Sequence, residues 1–194
     1  MDYTNKSDKE ILAWLEKNLS QGRFLHSLGC AKRSVELAKK FGQDEKKAYV
    51  AGLLHDCAKS FDVEEMRKII QDKKLDVASC EFVNPKTLHA PLSAYVAKTA
   101  FGVEDEEILS AIRWHTLGRV NMSKFEKIIF LADKIEPHTR KTEYAQLIMG
   151  ILEEENGIDK ALLVCYGETI KSLKARGLEI CQVTIDVYNS LQSL

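Results

Sequence analysis

Apolar residues recur at helical spacing along most of the chain, and this pattern restricts the fold more than any other feature of the sequence. In the segment SDKEILAWLEKNL, Ile11 and Leu15 share one face. Ser7 and Glu10 have the spacing of a capping box, which marks a helix start. The chain contains only three prolines and ten glycines, so few positions interrupt a helix. The sequence therefore predicts an all-α fold.

The same periodicity and its end signals place further helices. Gly42 and Gly102 each follow a helical stretch, and glycine is the preferred residue just beyond a helix end. Ser123 opens a helix that stops before Pro137. The stretch 75–88 is predicted to be irregular. Helices are predicted over 7–19, 22–41, from Asp44 through the segment AGLLHDCAKS, near 63–74, over 90–102, 105–115 and 123–136, with two or three more over 142–192.

No repeat, low-complexity tract or linker-like segment interrupts this pattern. The chain of 194 residues is long enough for one sizeable hydrophobic core. We therefore predict a single domain over residues 1–194, with a motif-bearing core over about 20–140 and C-terminal helices over 142–192.

Composition and charge exclude several classes of function. The formal net charge is −1, whereas a nucleic-acid-binding surface normally shows a basic excess. No apolar run approaches the roughly 20 residues of a membrane span, and the polar start MDYTNKSDKE is unlike a signal peptide. We expect a cytoplasmic protein without nucleic-acid or membrane partners, in which five cysteines stay reduced: Cys30, Cys57, Cys80, Cys165 and Cys181.

Adjacent histidine and aspartate residues interrupt one apolar stretch, AGLLHDCAKS, over residues 51–60. A carboxylate buried there needs a partner, because an unpaired buried charge is costly. The candidate partners of His55 and Asp56 are an ordinary hydrogen bond, a salt bridge to Lys59 or a metal ion. On a continuous helix Lys59 lies one turn from both residues, so its side chain overhangs them. The segment alone does not choose among the three.

Further histidines and one aspartate lie next to core-type residues elsewhere in the chain. They are His26, His89 and His115, together with Asp133 in the apolar segment IIFLADKIEP. Taken singly, each is more often a core histidine or a capping aspartate than a metal ligand. Together they favour a metal site, and a set of imidazoles and carboxylates without thiolate suits iron, manganese, cobalt or zinc.

The order of these residues along the chain resembles that of the HD-domain metal-dependent phosphohydrolases. The segments GLLHDCAK, LHAPLSAYVA, AIRWHTLGR and KIIFLADKIEP are similar to the YqeK-type group, the bacterial symmetrical diadenosine tetraphosphate hydrolases. The resemblance extends over roughly residues 10–190. It implies a single-domain HD-type helical bundle that hydrolyses the central phosphoanhydride of diadenosine tetraphosphate and releases two ADP.

The resemblance also implies a dinuclear metal site. Its ligands would be His26, His55, Asp56 and Asp133 for one ion, and the bridging Asp56 with His89 and His115 for the second. A hydroxide activated between two such ions would attack the phosphorus. The cofactors are therefore expected to be two divalent or mixed-valence ions. Iron is favoured by the resemblance, and manganese, cobalt and zinc are the other candidates.

Several other polar residues are candidates for catalysis or substrate binding. Asp56 and Lys59 are the predicted catalytic residues, with Lys59 stabilising or protonating the leaving phosphate. Glu136 is predicted to orient a ligand or to bind a substrate hydroxyl. The family pattern has an arginine two residues after Ile-Glu-Pro, where this chain has Thr139 followed by Arg140. The full set of predicted substrate contacts is Arg23, Lys59, Thr116, Gly118, Arg119, Glu136 and Arg140.

Other interpretations remain open from the sequence. The first is a broader nucleotidase or deoxynucleotide phosphohydrolase, which the same ligands would serve. The second is a nucleotide-binding HD sensor without catalysis. The third is a zinc-stabilised structural protein, for which a closed four-ligand site is typical. The expected partner is a dinucleoside polyphosphate, and the aliphatic stripes after residue 142 leave a homodimer open.

Overall fold

The structure, a computed structural model, describes residues 3–192, and every regular element within that range is an α-helix. The all-α prediction is therefore confirmed. No helix in the described range is both long and apolar enough to span a membrane. The single domain predicted over residues 1–194 includes two residues at each end that lie outside this range. Its separation into a motif-bearing core and C-terminal helices near residue 141 stays a prediction.

The helices are α1 (Asp8–Asn18), α2 (Gln21–Lys40), α3 (Glu45–Leu54), α4 (Val63–Asp72), α5 (Ser79–Val83), α6 (His89–Phe101), α7 (Glu106–Trp114), α8 (Lys124–Ile135), α9 (Thr142–Ile151), α10 (Gly157–Ala175) and α11 (Gln182–Gln192).

Local signals fix several helix ends where the sequence predicts them. Ser7 with Glu10, and Ser123 with Glu126, form capping boxes in which each serine and glutamate satisfies the other's backbone N–H. Gly102 ends α6 in the left-handed region, with φ of +65°, which glycine adopts without strain. These ends depend on neighbouring residues alone, so the sequence is sufficient to place them.

The helix that leads to the His-Asp pair ends sooner than predicted. α3 stops at Leu54, and the following residues form successive turns in which the Lys59 N–H donates to the Asp56 carbonyl at 2.9 Å. The ring of His55 donates to the carbonyl of Gly52, which is the acceptor that a continued helix would use for the next residue. The prediction of one helix through Lys59 is therefore wrong. A second difference is α5, which lies in the stretch predicted to be irregular.

The central helices pack around α2, α3, α7 and α8, and α10 packs against α8, α9 and α11. Gly52 permits the close approach of α3 to α2, because a Cβ there would meet Ala31 Cα at 2.8 Å and the Cys30 carbonyl at 2.9 Å. This contact brings the end of α3 against the middle of α2, about one turn beyond His26.

Two of the five cysteines are joined. Cys80 in α5 and Cys181 just before α11 form a disulfide across 101 residues of sequence, with Cα atoms 5.5 Å apart. The prediction of reduced thiols is wrong for this pair, because the fold brings together two cysteines that no local motif connects. Cys30, Cys57 and Cys165 are buried free thiols.

Candidate metal centre and active site

Six side chains that the sequence singles out come together in one buried centre. None of them has more than 6% of its surface exposed, so their charges need partners other than bulk water. Their sources are His26 in α2, His55 and Asp56 after α3, His89 at the start of α6, His115 after α7, and Asp133 in α8. The centre divides into two clusters that share Asp56.

The first cluster consists of His26, His55, Asp56 and Asp133. The Nε2 atoms of the two histidines are 3.2 Å apart. Asp133 Oδ1 lies 3.0 Å from His26 Nε2 and 3.8 Å from His55 Nε2, and Asp56 Oδ2 lies 3.8 Å from each. Donor atoms of His26, His55 and Asp56 therefore form one group, and Asp133 Oδ1 lies beside the two imidazoles, at separations that suit ligands about 2.0–2.2 Å from one ion.

Hydrogen bonds on the far side of each ring decide which nitrogen faces that point. His26 Nδ1–H donates to Glu136 Oε1 at 3.1 Å, and His55 Nδ1–H donates to the Gly52 carbonyl at 2.7 Å. The two Nε2 atoms therefore present lone pairs to each other, and a cation between them satisfies both. Burial lowers the pKa of His55 to about 3, which keeps this imidazole neutral and able to bind a metal.

Glu136 supports His26 from behind. Its carboxylate is fully buried and also accepts the backbone N–H groups of His138 at 2.7 Å and Thr139 at 2.9 Å. Gly29 makes room for it, because a Cβ at that position would overlap the carboxylate. Burial lowers the pKa of His26, but the neighbouring carboxylates outweigh burial and raise it above its usual value. Glu136 thus forms a hydrogen bond that fixes the His26 imidazole, and a contact of Glu136 with substrate stays a prediction.

The second cluster consists of Asp56, His89 and His115. Asp56 Oδ1 lies 3.1 Å from His89 Nε2 and 3.5 Å from His115 Nε2, and the two Nε2 atoms are 3.1 Å apart. His115 Nδ1–H donates to the Ile112 carbonyl at 2.7 Å, so its Nε2 faces the cluster. Asp56 therefore directs one carboxylate oxygen to each cluster, and each cluster has the donor types and spacing of a metal site.

A lysine already supplies positive charge to the second cluster. Lys59 Nζ lies 2.9 Å from both ring nitrogens of His89 and 3.8 Å from Asp56 Oδ1. The Thr116 hydroxyl lies 3.1 Å from His89 Nε2 and 3.0 Å from His115 Nε2. Burial lowers the pKa of Lys59. In the second cluster an ammonium group therefore lies directly against an imidazole that would be a metal ligand.

Two arginines approach the carboxylates from outside the clusters. Arg23 Nη1 donates to Asp56 Oδ2 at 3.0 Å, and its side chain is 44% exposed. Arg140 donates through Nε to the Asp133 carbonyl and through Nη2 to Asp133 Oδ1, both at 2.7 Å. Arg140 therefore reaches the centre although it lies one position later than in the family pattern.

Two other residues predicted to contact substrate, Arg119 and Gly118, interact with protein groups outside the two clusters. Arg119 donates to Glu126 Oε1 through Nε at 3.1 Å and through Nη2 at 2.9 Å, which ties it to the cap of α8. Gly118 has φ of +70° and lies against the Tyr166 hydroxyl, which a Cβ would overlap. The structure thus uses Gly118 for a close approach to α10 and Arg119 for an ion pair, and brings neither into the two clusters.

Similarity to known proteins shows the family to which the chain that holds these clusters belongs. The HD domain model matches residues 23–138. Over 189 residues the chain is 36% identical to the symmetrical bis(5'-nucleosyl)-tetraphosphatase of Bacillus subtilis (strain 168), covering 95% of this chain and 97% of that protein. It is 38% identical over 182 residues to the protein of the same name from Halalkalibacterium halodurans, covering 94% of this chain and 95% of that one. This chain belongs to the HD-domain family.

A solved structure agrees with this membership. The crystal structure of a predicted HD superfamily hydrolase involved in NAD metabolism, from Clostridium acetobutylicum, matches with a TM-score of 0.90 at 36% identity. It covers 97% of this chain and 98% of that one. The resemblance inferred from the ordered histidines and aspartates is confirmed. The HD match contains all six clustered residues and ends at residue 138, so α9–α11 lie outside it.

The chain also has a cleft, between the HD segment and the helices that follow it, which no pattern in the sequence predicts. Its volume is about 450 Å³, and its walls come from α8, α10, the segment 84–87 and the segment 178–184. Phe130 and Tyr166 are among its apolar lining residues, while Thr116 and Lys134 connect it to the clusters. The Cys80–Cys181 disulfide joins two segments of this wall.

Lys134 is the functional candidate that sequence reasoning missed. Its Nζ donates to Asp133 Oδ2 at 2.7 Å, while Asp133 Oδ1 faces His26. Burial raises the pKa of Asp133, but Lys134, His26 and Arg140 outweigh burial and hold it well below its usual range. The signal in the sequence is the position of Lys134 directly after the last clustered aspartate.

Proposed function

We propose that this HD domain hydrolyses diadenosine tetraphosphate symmetrically and releases two ADP. The observation that carries the proposal is the first cluster, where Asp133 adjoins the grouped donors of His26, His55 and Asp56, beside a cleft of about 450 Å³, a size suited to a small-molecule ligand. Relatives that span nearly the whole chain are named for this activity, which supports the choice of substrate.

The first cluster is the principal metal site in this proposal. Two imidazoles and two carboxylates without thiolate suit iron, manganese, cobalt or zinc, and iron is our choice. A bound ion offsets phosphate charge and lowers the pKa of water, so that a nucleophile forms near neutral pH. A second ion between Asp56, His89 and His115 stays a prediction, because it requires Lys59 to leave its present contact with His89.

The reaction that follows from this site is an in-line displacement. The water oxygen forms a bond to one of the two central phosphorus atoms, and the bond from that phosphorus to the central bridging oxygen breaks. One ADP leaves with the bridging oxygen, which gains a proton, and the other ADP carries the oxygen from water. Symmetrical cleavage therefore places one water-derived oxygen in the products.

Cations of the chain are arranged to assist this displacement. Negative charge spreads over the phosphate oxygens in the transition state, so fixed cations lower the barrier. Lys59, beside Asp56, donates to a phosphate oxygen and supplies the proton that the leaving ADP gains, which is consistent with its lowered pKa. Arg23 is half-exposed beside Asp56 and contacts the phosphate chain from the solvent side.

The cleft accounts for recognition of a nucleoside. Apolar side chains such as Leu117 and Leu178 present surface to a base, and Thr116 lies between the cleft and the second cluster. Few polar groups set among apolar walls are typical of small-molecule sites. In this proposal one adenosine occupies the cleft while its phosphates extend past Thr116 to the clusters.

Product analysis tests the proposal. The purified protein is incubated with diadenosine tetraphosphate in water enriched in ¹⁸O, and the nucleotides are separated and weighed. We expect ADP alone, with one label for each pair of molecules. AMP with ATP would exclude symmetrical cleavage, and release of inorganic phosphate from a panel of mononucleotides would instead indicate a broader nucleotidase. Binding without any product would indicate a sensor.

Metal counting is the companion measurement. Elemental analysis of the purified chain is compared with activity after chelation and after return of iron, manganese, cobalt or zinc. One ion for each chain assigns the first cluster alone, and two ions assign both. Full activity in chelated, metal-free protein would contradict the metal-dependent mechanism.

A further inference from the structure

A symmetrical dinucleotide has two nucleosides, and in the proposed function one of them occupies the cleft. When the central phosphoanhydride lies at the clusters, a nucleoside extends from each side of it. The second nucleoside therefore needs a place that is also close to Asp133 but separate from the cleft. The structure has a candidate on the other side of Lys134.

This candidate is a shallow groove between the end of α8, the start of α9 and the outer face of α10. Its volume is about 390 Å³. Tyr144, Glu168 and Ser172 line the groove and do not line the cleft. The groove and the cleft share four lining residues, which form a ridge between them: Lys134, Thr169, Leu173 and Arg176.

We propose that this groove binds the second nucleoside of the dinucleotide, with the phosphate chain crossing the ridge at Lys134. The proposal rests on the proposed function, since it concerns the same substrate. It names a binding surface on α9 and α10, outside the part of the chain that the HD model matches.

The position of Lys134 supports this arrangement. Its Nζ lies 2.7 Å from Asp133 Oδ2, and its side chain is 26% exposed, so it faces both the centre and solvent. A lysine ammonium has three donor N–H groups, and one of them is used by Asp133. The remaining two are available to phosphate oxygens that pass from the clusters toward either side of the ridge. Arg176, exposed at the far end of the ridge, adds a second cation.

The groove also offers the contacts that a nucleoside needs. Tyr144 presents a half-buried aromatic ring, and its hydroxyl donates to Cys165 Sγ at 3.1 Å, which fixes the ring. A fixed aromatic ring is a surface on which a base stacks. Glu168 and Ser172 are exposed polar groups on the adjacent face of α10 and can bond to ribose hydroxyls or to the base.

Counting bound ADP tests the proposal without turnover. Isothermal titration of the full chain with ADP is expected to give two molecules for each wild-type chain. Ser172→Trp fills the groove and is expected to reduce this number to one. Lys174→Trp places the same ring on α10 at an exposed position that lines neither surface, and is expected to leave two. One ADP bound to saturated wild type, or two bound to Ser172→Trp, overturns the proposal.

Two further variants check the assignment of the two ADP molecules, one in the groove and one in the cleft. Glu168→Trp occupies the same groove and replaces Ser172→Trp if that chain does not fold by circular dichroism. Leu178→Trp lies on the cleft and not on the groove, so it is expected to remove the other ADP. An unchanged count in both groove variants, when folded, overturns the proposal.

Kinetics separate this proposal from the proposed function. We expect Ser172→Trp to raise KM for diadenosine tetraphosphate about tenfold, the effect of about 1.4 kcal/mol of lost binding. The tenfold effect is expected to be absent with adenosine 5'-tetraphosphate, which has no second nucleoside. Equal effects on both substrates overturn the groove assignment. Failure of the proposed function is a different result, namely no ADP formed by the wild-type chain from diadenosine tetraphosphate.

Discussion

The metal centre and the cleft-and-groove surface are built in opposite ways. In the centre, six buried side chains are held by hydrogen bonds from backbone and side-chain groups, and all lie within the matched HD segment. The cleft and groove have exposed walls, much of them from α10 and the segment after it. The comparison suggests that one region sets the chemistry and the other sets the choice of substrate.

Asp56→Asn is expected to abolish hydrolysis, with a loss on the order of 10³-fold or more, since metal activation contributes several kcal/mol. Asp56 directs an oxygen to each cluster, so the change weakens both. Metal content and turnover are measured together on the variant. Asp72→Asn, at an exposed position of α4, is the matched control. Wild-type turnover in Asp56→Asn would remove the centre from the mechanism.

Lys59→Met is expected to lower kcat about 10–100-fold, because the ammonium beside His89 no longer assists the leaving phosphate. This variant also separates the one-ion and two-ion models of the centre. If Lys59 takes the place of a second ion, the metal count stays at one and kcat falls. A rise from one ion to two, with turnover kept, would show that the second cluster is a metal site that Lys59 blocks.

Glu136→Gln is expected to weaken metal binding about 10–100-fold while kcat at saturating metal falls much less, since partners behind a ligand histidine tune affinity by this amount. The carboxylate fixes His26 through its Nδ1–H and does not itself face the first cluster. Competition with a chelator gives the affinity. An unchanged metal affinity would mean that His26 holds its orientation without Glu136.

Cys80→Ser, or reduction of the disulfide, is expected to lower the free energy of unfolding by about 2–4 kcal/mol, because the bond closes a long loop. The metal centre lies on other segments, so kcat should change less than twofold while KM rises as the cleft wall loosens. Denaturant unfolding and steady-state kinetics measure the two effects. Cys181→Ser removes the other half of the same bond and is expected to give the same two effects. A fall in kcat without a change in KM would contradict the separation of the two regions.

Local features explain which parts of the fold the sequence predicts correctly. Ser7, Ser123 and Gly102 mark helix ends through interactions with residues a few positions away, and these ends are where the pattern puts them. The end of α3 was misplaced because the His55 ring takes a backbone acceptor that periodicity assigns to the helix. The sequence does not predict the ion pair of Arg119 with Glu126. An arginine shortly after the metal-ligand candidate His115 has the same sequence pattern whether it binds substrate or another residue of the protein.

The sequence by itself determined most of the helices, several of their caps and the ordered set of histidines and aspartates, because each depends on residue type and short spacing. Tertiary structure decided the distances within the two clusters that the family resemblance implies, and that Lys59 lies against the second. It also decided the Cys80–Cys181 bond and the cleft and groove on either side of Lys134. These features join segments far apart in the chain, and their distances depend on how whole helices pack, which no local pattern records.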